Sequence, residues 1–186
     1  MNVLFAAAIL VVNLAGGIQQ EKPAPQEKPS HDMSSCPMHE KHQAAQDAHQ
    51  QGVIERGDHV MGFTHDKATH HFLLYADGGA IDVQANNPED AATRDAIRSH
   101  FRHIVTMFAG GDFSAPMLIH EQNPPGTEEM KRLREKVQYQ LENTGRGARI
   151  RITTKDANAL NAVHEFLRFQ IADHKTGDTT EITKAP

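Results

Sequence analysis

Residues 96–108 read AIRSHFRHIVTMF. Successive residues of an α-helix advance by about 100°. Ile97, Phe101, Ile104 and Phe108 then align as one apolar stripe. His100, His103 and Met107 align as a second stripe, about a quarter-turn away. One face is built to enter a core, and its flank carries two imidazoles and a thioether. A helix over residues 87–109 therefore needs an apolar surface to lie on, and the rest of the chain must supply it.

The segments on either side read as that surface. Residues 69–75, THHFLLY, are strand formers, Asp77-Gly78-Gly79 offers a hairpin turn, and residues 80–85, AIDVQA, alternate apolar and polar. Asn87 stands as an N-cap, with Pro88 at the first helical position and Glu89 and Asp90 in the first turn. Gly110-Gly111 ends the helix. The same order then recurs. Residues 137–142, VQYQLE, read as a strand, residues 143–147, NTGRG, as a turn, and residues 148–153, ARIRIT, as an alternating strand. Thr154 or Asp156 caps a second helix running to His174, and Thr176-Gly177 closes it. Arg102 and Arg168 hold equivalent places, as do Gly111-Asp112 and Gly177-Asp178.

The pattern predicts an internal duplication. Neither hairpin is stable alone, so the expected fold is α+β. Duplicated ββα units form a four-stranded antiparallel sheet with two helices on one face, as a single domain over 53–178 followed by a tail, 179–186. Between the units, residues 115–120, APMLIH, read as a short extended segment, residues 123–126, NPPG, as a turn and residues 127–132, TEEMKR, as a short helix. This connector, 112–134, has no counterpart in the duplication, which makes it a place where function is added.

Residues 3–12, VLFAAAILVV, followed by small residues, read as a secretory signal over 1–18 or an N-terminal anchor, although no Lys or Arg precedes the run. The run is short for a membrane span. The expectation is a periplasmic or secreted protein whose mature form does not cross the membrane. Residues 19–52, rich in Pro, Gln, Glu, Lys and Ala, read as a disordered linker with at most a fraying helix over 40–51. A single Cys excludes an intrachain disulfide, and a net charge of −5 without a basic run excludes nucleic acid as the main partner. The chain holds 13 His and 7 Met, and these residue types bind copper without thiolate.

Within the linker, Cys36-Pro37-Met38-His39 is followed by His42, with His31, Met33 and His49 nearby. These residues resemble the CPMH core of the small heavy-metal-binding motifs attached to bacterial copper and heavy-metal efflux proteins. The resemblance spans only these few positions. Ser34-Ser35 replace the usual aromatic residue, and Glu40-Lys41-His42 replace the residues that usually follow. It implies that Cys36, Met38 and His39 contact a soft metal, as a flexible capture arm.

In the folded part, His100 and His103 stand on adjacent helical turns, with Met107 one turn on. Met117 and His120, after the Gly-rich turn, are positioned to fold back over them. His70 and His71 are neighbours on a strand, so one of them alone faces the helices. His59 beside Asp58 and His65 beside Asp66 read as solvated loop pairs. His164 reads as a core histidine with a hydrogen-bond partner, and His174 as favoured by its place at a helix C-terminus.

The sequence carries no GxSxG, Walker loop, HExxH or GxGxxG before a helix, and its Cys lies in the linker, so no catalytic residues are assigned. The reading is an exported metal-binding protein, copper favoured because thioethers suit it, that binds, buffers or delivers the ion. The alternative is non-covalent haem, with Phe101, Phe108, Phe113 and Met117 as an apolar rim. A third reading is a cofactor-free interaction module, for instance a homodimer joined through sheet edges.

Overall fold

The computed structural model describes residues 37–185, with side chains from Lys41 onward. Its elements are α1 (Pro37–Met61), β1 (Ala68–Tyr75), β2 (Gly78–Ala85), α2 (Ala91–Ala109), α3 (Ser114–His120), α4 (Thr127–Arg132), β3 (Val137–Asn143), β4 (Gly147–Thr154) and α5 (Ala157–His174). The four strands form one antiparallel sheet in the order β1-β2-β4-β3. The two hairpins meet through β2 and β4 at the centre, each followed by its long helix. This is the expected duplicated α+β arrangement.

Strand alternation explains the layers. Phe72 and Leu74 of β1, Ile81 and Val83 of β2 and Ile150 and Ile152 of β4 turn to one face, where Ile97, Phe101, Ile104 and Phe108 of α2 and Val163, Phe166 and Leu167 of α5 pack on them. The opposite face is polar, and there Arg149 holds the buried carboxylate of Asp82 at 2.8 Å.

The repeat extends to the helix ends. Asp90 caps α2 by accepting from the Thr93 amide at 2.9 Å, and Asp156 caps α5 by accepting from the amides of Asn158 and Ala159. Gly111 and Gly177 both take positive φ, 77° and 76°, just beyond the two helices. Beneath this symmetry the side chains have diverged. At the offset that relates these caps and glycines, the places of His100 and Met107 are taken in α5 by Phe166 and Asp173.

Three sequence expectations change. The cap of α2 is Asp90 rather than Asn87, because residues 87–90 form a separate turn in which the Asp90 amide donates to the Asn87 carbonyl. Residues 115–120 are helix α3, not an extended segment. Pro116 is tolerated because it stands in the first turn, where an amide needs no intrahelical partner. The stretch expected as a linker up to Gly52 carries α1 from Pro37 through Met61. His49, Val53 and Arg56 share one face of that helix and attach it to the domain. Val53 is buried, Arg56 Nε donates to the Ile119 carbonyl at 2.8 Å, and His49 Nε2 lies 2.9 Å from Asp173. The C-terminal tail is also engaged, since the Thr183 amide donates to the Leu74 carbonyl beside the β1 edge. Residues 1–36, with the signal or anchor expected over 1–18, lie outside the described residues. No described helix is long and apolar enough to cross a membrane.

Candidate metal centre

α3 packs against α1, and α1 also meets α2. The three helices enclose a cleft of about 730 Å³. His100, His103 and Met107 from α2 and Met117 from α3 line it. These are four of the expected site residues, drawn together from two elements. Met61, the last residue of α1, joins them.

Beneath the cleft lies a smaller cavity of about 70 Å³. Met61 and His100 line both spaces, and the inner one adds His70, His120 and His174 among apolar neighbours such as Phe101 and Ile104. His70 is the member of the His70-His71 pair that faces the helices. Its Nε2 lies 3.3 Å from the Met61 Sδ. Its ring is parallel to that of His174, with centroids 6.0 Å apart, and the His174 ring meets His120 edge-on at 4.9 Å. Phe63 stacks on His70 and meets the His100 ring at a near-perpendicular angle.

Burial sets the charge of this cluster. Desolvation, followed by the neighbouring His100 and His71, pushes the His70 imidazole down to about 4. Desolvation and His103 bring His100 to about 4 as well. Desolvation, then His120 and His70, take His174 to about 3. All three are neutral at neutral pH, each with a lone pair on one ring nitrogen.

The separation of the His70 nitrogen and the Met61 sulfur fits shared coordination. Two donors at about 2.0 Å (nitrogen) and 2.3 Å (sulfur) from one metal, lengths taken from zinc sites with imidazole and thiolate, and 3.3 Å from each other subtend about 100° at the ion. That is near the tetrahedral angle.

Other expected residues stand elsewhere. His120 lines the inner cavity but both its nitrogens are engaged, Nδ1 with Asp173 at 2.5 Å and Nε2 with Gln170 Oε1 at 3.1 Å. With His49 on the other oxygen of Asp173, it joins α1, α3 and α5 behind the cluster. His71 is separated from the site. It points to the opposite face of the sheet, where Nδ1 lies 2.8 Å from Asp178, whose second oxygen accepts from the Phe72 amide. Cys36 lies outside the described residues, and of Met38 and His39 only their place in the helix is described. His65 pairs with Asp58 rather than with its neighbour Asp66. His164 is a core residue as expected, and its Nε2 donates to the carbonyls of Tyr75 and Gly78, closing the β1–β2 turn. Of the porphyrin rim expected in the haem alternative, Phe101, Phe108 and Phe113 are buried in the core, and Met117 alone lines the cleft.

Sequence reasoning did not assign Met61 or give His174 a site role. Met61 falls in a helix without an apolar stripe, and His174 had a sufficient explanation in the helix dipole. The one available signal was that His174 occupies in α5 the place of the core residue Phe108 in α2. Among the described residues, no three His, Cys, Asp or Glu side chains form a preformed metal-binding group. Comparison with protein-family models, curated proteins and solved structures finds no significant match for this chain.

Proposed function

We propose that the protein binds a soft or borderline metal ion, copper in the first place, through Met61, His70 and His100, and that it buffers or delivers the ion outside the cytoplasm. The observation that carries this reading is the His70–Met61 pair, 3.3 Å apart at the floor of a His/Met-lined cleft. Thioether and imidazole together favour Cu(I), whereas zinc sites rarely use thioether. Because burial keeps these imidazoles unprotonated, the ion meets no competing proton at neutral pH. The CPMH segment would then be an auxiliary capture arm. The exported location rests on the apolar N-terminal run alone.

The test is Cu(I) titration of the full untagged chain against a coloured Cu(I) chelator. Wild type and a Cys36→Ser/Met38→Leu/His39→Ala variant are both expected to retain one equivalent of copper. Met61→Leu/His70→Gln is expected to lose the tight equivalent while remaining folded by circular dichroism. Copper lost with the CPMH variant and kept by Met61→Leu/His70→Gln overturns the assignment. A Soret band in the purified chain would replace it with the haem reading, for which the cleft volume and the axial candidates His100 and Met117 speak.

A further inference from the structure

The donor side chains at this centre differ in their exposure to solvent. At the cleft mouth, His103 and Met117 are exposed, Met117 by 44%. His103 and Met107 are one helical turn apart on α2, so their side chains stand over the same strip of surface. Beneath, His70 and His174 are partly buried and stacked, with Phe63 and Phe72 against them. Met61 and His100 are the donor-bearing residues common to the linings of both spaces. A His/Met series therefore runs from solvent to the interior, with no Lys, Arg, Asp or Glu lining either space, and Met61, His70 and His174 also line a neighbouring space of about 280 Å³ that Asp58 and His65 share.

We infer that His103, Met107 and Met117 form an outer station that captures the metal ion, and that His100 passes it by ligand exchange to an inner station at Met61 and His70. This rests on the proposed metal binding and adds a route and an order of events. The outer donors are exposed and one of them sits on the short helix α3. They suit fast, weak capture. The inner donors are desolvated and held by packing, which suits slow, tight retention. His100 lines both spaces, so an ion can exchange one ligand at a time without returning to water. Capture at the mouth raises the ion's effective concentration at the floor to the millimolar range. No electrons are transferred, and the ion moves as Cu(I) with neutral ligands replacing one another.

The experiment separates rate from affinity in the full chain, using Cu(I) supplied as its acetonitrile complex and followed by stopped-flow loading and by equilibrium competition with a chelator. The outer variant, His103→Ala/Met107→Leu/Met117→Leu, is expected to load at least about tenfold more slowly and to reach the wild-type dissociation constant. The inner variant, Met61→Leu/His70→Gln, is expected to bind quickly and weakly, with rapid release. His100→Gln is expected to lose tight retention and leave the fast phase. An outer variant that loads at the wild-type rate while the inner variant loses tight binding overturns the route and leaves the metal reading standing. An inner variant that binds as tightly as wild type overturns the metal assignment itself. Melting curves on each variant confirm that a changed rate belongs to a folded protein.

Discussion

Acid should unfold this protein through its partly buried, desolvated histidines, and His70 offers the cleanest measurement. In the unfolded chain its pKa is near 6.5, and in the fold burial lowers it to about 4. The unfolded state therefore binds more protons between those values, and stability falls as pH drops through that window. Above pH 7 the group contributes no difference. At pH 5 the unfolded imidazole is almost wholly protonated and the folded one is not, which corresponds to about 2 kcal/mol at 1.36 kcal/mol per pH unit. Below pH 4 the loss is complete. The charged and titratable neighbours are His100, His71 and Asp58, with His174 stacked alongside. The first two oppose protonation and Asp58 favours it. Total stabilities are roughly 5–15 kcal/mol, so one such group matters.

The assay is urea unfolding of the metal-free chain at pH 7.5 and pH 5, for wild type and His70→Gln, which cannot titrate there. Between the two pH values wild type should lose about 2 kcal/mol more than the variant, roughly 1 M in urea midpoint at a slope near 2 kcal/mol/M. The variant's own stability at pH 7.5 cancels from this difference. Equal pH dependence in the two proteins would refute the claim that His70 is held neutral by burial, and with it the proton-free readiness of the proposed site.

Three further outcomes follow from the packing. Arg149→Met should lower stability by about 2–3 kcal/mol, seen as a melting temperature lower by roughly 5–10 °C, because the buried Asp82 keeps only the Gln84 amide at 3.0 Å. Gly126→Ala should cost at least about twice as much as Gly177→Ala in urea unfolding. Both positions have positive φ, which alone costs about 1–2 kcal/mol for a side chain, but a Cβ at Gly126 would stand 2.1 Å from the Ala162 carbonyl oxygen, whereas at Gly177 it meets nothing within 4 Å. His164→Phe should cost about 1–3 kcal/mol, because it removes the donor to the Tyr75 and Gly78 carbonyls, and should leave copper affinity unchanged, which copper titration checks.

The architecture was legible because its signals are periodic and local. Alternation in residues 80–85 and 148–153, the α2 stripe and the matching Gly111 and Gly177 are each read within a few residues, and burial of apolar faces leaves little choice of how such units combine. Asp90 displaced Asn87 as cap, and α3 replaced an extended segment, because hydrogen-bond competition within one turn is not visible in periodicity. The site was half legible. His100, His103 and Met107 converge because one helix carries them, and helical spacing is fixed by sequence. Met61, His70 and His174 join them from α1, β1 and α5, and only the packing of those elements decides that His70 faces inward while His71 turns to Asp178. Alternation says that neighbours on a strand point apart, but which one meets the helices depends on the register of the sheet and the side on which α2 and α5 lie. The same packing sets the chemistry. The sequence supplies thirteen histidines of ordinary basicity, and desolvation in the tertiary structure gives His70, His100 and His174 lowered pKa values.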